Sequence, residues 1–352
     1  MTTRSAIILS LADPATADPA GKADDPCAST HGSDSTGGDG GCGACGLACL
    51  AGTGAASGEA CSRGPRVPVL ACKDALGAHG YDVELVTATS DAEIDAVIAR
   101  LDGPDRLDGL TWPAGPADDA PVLVVATEAD AQLRHVIRRM VRRYTPAPSK
   151  RPDDLRDGRT LPDLPPIGVL PLVPAPTVEP DLADRLGLPR DPVDVAKAVD
   201  GGAHRHVDLL RSDGSSITLH GALLGGVDAG GEAGRWSGQV IVDDTVLADG
   251  TEPLLACAVA NANGYAHLDE IPLAPAADPS SGTVTVAVAV PVTVRSRFGR
   301  TSVRLEVRRA TGRAVAVTPA ADLPYLDDGV PGVLTRRRTW WVEPGAWSAY
   351  TL

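Results

Sequence analysis

Aromatic side chains are scarce, at 3% of 352 residues with a single Phe. Any core must therefore be filled by Val, Leu, Ile and Ala. Basic charge is also short: 32 Lys and Arg stand against 46 Asp and Glu, a net charge of −14. That removes the general basic field on which nucleic-acid binding depends. No apolar run approaches the ~18 residues of a membrane span. The opening MTTRSAIILSLA has too short an apolar run for a secretory signal and reads as a first strand, so a cytoplasmic chain is expected. There is no Walker-type loop and no Ser-His-Asp arrangement. What is there is globular, 43% hydrophobic and 22% charged, and long enough for two cores.

The most informative stretch is Pro121 to Tyr144, PVLVVATEADAQLRHVIRRMVRRY. Val122 to Ala126 is a short β-branched run, as in a strand buried on both faces. From Leu133 the period changes, and Leu133, Val136, Ile137, Met140 and Tyr144 share one helical face. The turn predicted between them, Thr127 to Gln132, carries Glu128 and Asp130. In open α/β sheets ligands sit outside the carboxyl ends of the strands, so this turn is a candidate phosphate or metal–nucleotide site. An ordinary βα connection with a capping acid explains it equally. Arg134, Arg138 and Arg142 recur every fourth residue, either a basic face for anionic lipid or a solvated helix face.

Five of the seven cysteines lie between Cys27 and Cys61. Cys42, Cys45 and Cys49 form C-x2-C-x3-C, with Cys61 after eleven more residues. Four thiolates this close are a candidate zinc or iron–sulfur ligand set. The Gly-, Ala- and Ser-rich sequence around them also reads as a flexible insertion, 12–66, with reduced thiols.

Along residues 1–200, strands are expected at Ser5–Leu11, Tyr81–Thr87, Arg106–Trp112, Val122–Ala126 and Ile167–Leu172. Helices are expected at Pro68–His79, from Ser90 (with Glu93 completing a capping box) through Arg100, from Leu133, and at Asp181–Gly187 and Pro192–Val199. The Pro- and charge-rich stretch Thr145–Pro166 reads as an exposed excursion. Alternating strand and helix predicts a Rossmann-like parallel sheet with helices on both faces. Over 201–352 the pattern becomes short alternating runs, such as Val284, Val286, Val288 and Val290. Hairpin turns are expected at Asp243-Asp244 and Thr311-Gly312. This half predicts an antiparallel β-sandwich, its last strand packing back on the first half. Arg336 to Trp341, RRRTWW, suits either a membrane interface or an arginine-guarded edge strand.

An α/β domain followed by a β-sandwich, with three local signals, resembles the diacylglycerol kinase catalytic-domain family. That family includes bacterial lipid kinases and sphingosine kinases and shares its fold with NAD kinases. Glu128 to Leu133, EADAQL, stands where the family has its phosphate loop GGDGTL; Asp130 and Leu133 match. Pro171-Leu172 and DLADRLGLP, from Asp181 to Pro189, match the family's PLGTGNDLARxLGLP, but VPAPTVEP replaces GTGN and puts Pro180 where a nucleotide-contacting Asn belongs. LDDGVPG resembles LDGEP, whose Asp is the catalytic base, with Asp328-Gly329 matching and Val330 replacing Glu. Ser281 and Thr285 replace carboxylates that help hold a structural magnesium in bacterial relatives, so that site is expected to be absent.

The resemblance implies transfer of the ATP γ-phosphoryl group, with Mg2+, to the hydroxyl of a membrane lipid such as diacylglycerol. It implies peripheral membrane contact and is compatible with a homodimer. Asp328 would be the catalytic base; Glu128, Ala129, Asp130, Ala131, Gln132 and Asp181 would meet the nucleotide. The departures point the other way. Alanines in place of glycines add side chains where a phosphate approaches, and Glu128 adds a negative charge worth about 1 kcal/mol of repulsion at ~4 Å even in water. Two further readings stay open: a non-catalytic pseudokinase that binds lipid, nucleotide or protein, and a metal sensor built on the Cys cluster.

Overall fold

The computed structural model describes residues 4–12, 66–106, 108–115, 119–153, 155, 158–176, 180–213, 216–225, 234–268, 270–295 and 301–352. Cys42, Cys45, Cys49 and Cys61 lie outside these residues.

Four parallel strands lie in the order β2-β1-β3-β4: β1 (Arg4–Leu11), β2 (Tyr81–Ala88), β3 (Val122–Thr127) and β4 (Ile167–Pro171). Because each side of the sheet is covered, their apolar runs need no alternation. Helices α1 (Val67–Ala78) and α5 (Pro192–Gly201) bury Cys72, Leu76, Val195 and Val199 against Ile8, Val124 and Leu170 on one face. Helices α2 (Asp91–Ile98), α3 (Asp130–Tyr144) and α4 (Leu182–Leu186) cover Ile7, Leu9, Leu123 and Val125 on the other. Leu133, Val136, Ile137, Met140 and Tyr144 are all buried, as their spacing predicts.

The helix ends follow local chemistry. Ser90 accepts from the Glu93 N–H, while the Glu93 carboxylate reaches back to Thr89 N and Oγ1. Gly80 beyond α1 and Gly187 at the end of α4 take left-handed φ of +85° and +65°. Of the arginine stripe on α3, Arg142 is exposed, Arg138 is half-buried and Arg134 is buried, while the adjacent Arg139 pairs with Asp91 and Asp95 of α2 and Arg143 pairs with Asp102.

The second half stacks two sheets. A six-stranded sheet runs β14-β13-β10-β7-β16-β17: β7 (Gly221–Leu224), β10 (Ala256–Ala260), β13 (Val284–Arg295), β14 (Thr301–Gly312), β16 (Leu323–Asp327) and β17 (Val330–Leu334). It faces β5 (His204–Ser212), β6 (Ser216–Thr218), β8 (Gly238–Val242), β9 (Thr245–Asp249), β15 (Ala314–Pro319) and β18 (Arg338–Tyr350). Val284, Val286, Val288 and Val290 meet Leu210, Val240, Val315 and Trp340 between the layers, which makes the sandwich core. A small hairpin, β11 (Tyr265–Leu268) with β12 (Ile271–Ala274), stands apart. β18 joins the halves: Ala349 pairs in parallel with Ile167 of β4, while β18 runs antiparallel to β5 and β15. The result is the expected α+β fold, a mainly parallel sheet continuing into an antiparallel sandwich.

Five expectations need correction. The turn after β3 is shorter than predicted, because Asp130, Ala131 and Gln132 already form the first turn of α3. Arg106–Trp112 is not a strand: Asp108 accepts from Leu110 N and from Arg106, which stacks on Trp112, so the segment closes locally. Thr145–Pro166 is not wholly exposed, since Leu161 and Leu164 are buried and Leu164 N–H bonds to Ala346 O. Thr311-Gly312 is a crossover rather than a hairpin turn, because β14 and β15 lie in different sheets. Asp243-Asp244 does join β8 to β9, with Asp243 at φ +47°. Trp340, expected at an interface or edge, is fully buried.

Candidate functional site

At the carboxyl end of β3, Ala129 offers no side chain to cap α3. The Thr127 hydroxyl takes over, donating to Ala129 O at 2.5 Å and lying 3.2 Å from Ala129 N. The Gln132 side-chain oxygen accepts from Glu128 N at 2.7 Å, the role Gln plays at the third position of a helix. Ala131 and Gln132 thus serve the helix. The segment Thr127 to Gln132 is a capped helix start.

Glu128, Ala129, Asp130 and Asp181 gather around one cavity of about 240 Å³, walled also by Leu133, Val169, Pro171, Val173, Pro174, Pro176 and Ala183. That is below the roughly 300–1,000 Å³ of common ligand pockets. Asp130 Oδ2 accepts from Leu182 N at 3.0 Å, tying α3 to α4. Burial, with Asp181 nearby, pushes the Asp130 carboxyl up to about 6. Burial would also raise Asp181, but the Arg190 fork at 2.7 and 2.8 Å and the Asp184 N–H outweigh it and hold this carboxyl below its ordinary value. Glu128 pairs with Arg66, just before α1. Three carboxylates and a proline-rich wall thus surround the cavity, with Glu128 and Asp181 each offset by an arginine.

Asp328 does not line this cavity. It sits with Gly329 in the tight turn between β16 and β17, at φ +49° and +79°. Its Oδ1 accepts from His220 N (2.8 Å) and Gly221 N (3.1 Å); its Oδ2 accepts from Leu219 N (2.7 Å) and lies 3.3 Å from Arg134 Nε. The side chain is 1% exposed. Burial and the adjacent Asp327 push its pKa upward, with Arg134 and the amides working against them. Asp327 accepts from Thr218 Oγ1 at 2.6 Å, Arg134 Nη2 at 3.0 Å and Arg338 at 3.4 Å. Arg134 also donates to Ile217 O and Ser216 Oγ.

Arg134 is the residue the sequence pattern missed. It lies one helical turn, about 6 Å, beyond Asp130 on α3. It ties the helix that begins at Asp130 to the turn that holds Asp327 and Asp328. Its only sequence signal was a place in an arginine stripe that also reads as solvated.

Where the resemblance puts a structural magnesium, the donors are weak ones. Ser281 and Thr285 offer hydroxyls in place of carboxylates, and both oxygens of the nearby Asp208 are taken by Gly282 N and Gly345 N. Among the described residues no group of three or more His, Cys, Asp or Glu is placed to hold a metal. None of these residues forms a helix long and apolar enough to cross a membrane.

No family model and no curated protein matches the chain. Solved structures do. A diacylglycerol kinase from Bacillus anthracis strain Sterne aligns with a TM-score of 0.55 and 11% identity, covering 100% of this chain and 98% of that one. Two structures of a candidate diacylglycerol kinase from the same strain align over 100% of this chain, at TM-scores of 0.55 and 0.53, 11% identity, and 97% and 99% of their own lengths. At that identity the likeness is one of fold, and over its whole length the chain has the two-domain fold of these diacylglycerol kinase structures.

Proposed function

We propose that this chain is a non-catalytic counterpart of the lipid kinases, a pseudokinase that keeps their cleft as a binding site. The observation that carries this is the state of Asp328. A general base must have an oxygen within reach of the acceptor hydroxyl. Both Asp328 oxygens are instead committed to three backbone N–H groups and Arg134, away from the cavity. Freeing one would leave buried donors unpaired, at about 1–3 kcal/mol each. The cavity supports the same conclusion, since its acids, side chains and size disfavour a polyphosphate. A small neutral or cationic molecule suits it better, with apolar contacts to Val173, Pro174 and Pro176 and a polar end toward Asp130.

The test is calorimetric titration of the purified protein with Mg-ATP, followed by phosphate transfer to diacylglycerol in mixed micelles. The expected result is no saturable binding at millimolar ATP and no turnover. Saturable ATP binding with turnover that disappears in Asp328→Ala would overturn the proposal and restore an active lipid kinase.

A further inference from the structure

The longest hairpin of the chain extends beyond the body of the protein. β13 pairs with β10 only between Thr285 and Ala289, whereas its pairing with β14 continues to Arg295 and Thr301. From Val290 outward the two backbones pair only with each other, and beyond Val292, which still packs on the sandwich core, the side chains of Thr293 and Val294 are exposed. Such a two-stranded ribbon is marginal in water, yet it exposes apolar side chains on both faces. Val294 is 40% exposed on the face that deeper in carries the sandwich core, and Val303 is 62% exposed on the opposite face. A buried partner within the fold would cover one face, not two.

Charge separates this ribbon from the rest. Pro291 to Leu305 contains four arginines and no carboxylate, in a chain of net charge −14. Nearer the body, Arg308 is paired with Glu252 and Glu306, and Arg309 donates to the carbonyls of Leu273 and Pro272. Arg304, exposed on the distal half, makes no ion pair among the described residues. Valines exposed on both faces with the unpaired Arg304 beside them, in a stretch of sequence that has arginines and no acid, suit a boundary between hydrocarbon and anionic headgroups, which accepts valines and guanidinium groups together. The acidic remainder would be repelled by the same surface, which fixes the orientation.

From this geometry we infer that the distal half of the β13–β14 hairpin, marked by Val294, Val303 and Arg304, is a docking finger for an anionic lipid surface. It stands independently of whether the cleft catalyses anything.

The full chain is tested by co-sedimentation with vesicles of phosphatidylcholine, with and without phosphatidylglycerol. Binding is expected only with the anionic lipid and should weaken as salt is raised. Arg304→Glu should weaken it about 25-fold, since each charge near the surface contributes about fivefold and reversal counts twice. Val303→Ser should weaken it about fivefold. Arg336→Glu, in the exposed arginine pair before β18, should bind like the native protein. Near-ultraviolet circular dichroism checks that each variant is folded. Equal affinity for both vesicle types, native-like binding by folded Arg304→Glu and Val303→Ser, or an equal loss in Arg336→Glu would each overturn the inference.

Discussion

Replacing Arg134 by Met removes a guanidinium that contacts Asp327, Asp328, Ile217 O and Ser216 while keeping the length and apolar stem of the side chain. Breaking a buried ion pair from one side costs about 3–5 kcal/mol. Asp328 would keep three amide donors, and Asp327 would keep Thr218 and Arg338, so the lower end applies, about 3 kcal/mol. At about 2 °C per kcal/mol for a chain of this size, the thermal midpoint should fall by roughly 6 °C. The loss should depend on pH. Without Arg134, the folded pKa of Asp328 rises further above its unfolded value of 3.8. The folded state then holds a proton that the unfolded state has released, so stability falls as pH rises from the unfolded toward the folded value. The deficit should be small at about pH 5, where the native folded carboxyl also holds its proton, and larger at about pH 8. Urea unfolding followed by tryptophan fluorescence at both pH values measures it. Adding Asp327→Asn should recover part of the loss, because one stranded charge is gone. A deficit under about 0.5 kcal/mol, the level of a surface substitution, or one independent of pH, would refute the buried ion-pair account.

Asp130→Asn tests the cavity acid. Asn still accepts from Leu182 N, and the native carboxyl, raised to about 6 by burial, costs stability as pH climbs from 3.8 through that value. The variant should match the native protein near the lower value and exceed it by about 1–2 kcal/mol above the higher one, in a pH series of thermal midpoints. Placing glycine at Glu128, Ala129 and Ala131 together should lower the thermal midpoint, since glycine at Ala131 in the first helical turn costs about 1 kcal/mol and the Arg66 pair is lost. It should yield no phosphate transfer to diacylglycerol, because Asp328 stays occupied; turnover in that variant would show that the loop alone had been the obstacle.

Local physics made much of the fold legible. Val122–Ala126 could only be a doubly buried strand, and Ser90, Asp181 and Gly187 mark helix ends by side-chain or backbone chemistry that acts within a few residues. Tertiary pairing was not legible. Leu161 and Leu164 were hidden in a Pro- and charge-rich stretch whose burial depends on Ala346. Thr311-Gly312 resembles a hairpin turn until β14 and β15 are seen to belong to different layers. At the site, the family resemblance grouped Glu128, Ala129, Asp130 and Asp181, which line one cavity. It could not show that Arg134, 193 positions before Asp327, would close over Asp328.

β18 carries Trp340 into the sandwich core and Trp347 into the core beneath α2 and α3. Both rings are buried, and a bulge between Glu343 and Trp347 lets a single strand serve both. Neither core is complete until residues 338–350 are in place, so the two halves should unfold in one concerted step. Both draw a tryptophan from the same strand, a coupling that would hold the cleft in shape whatever chemistry it carries.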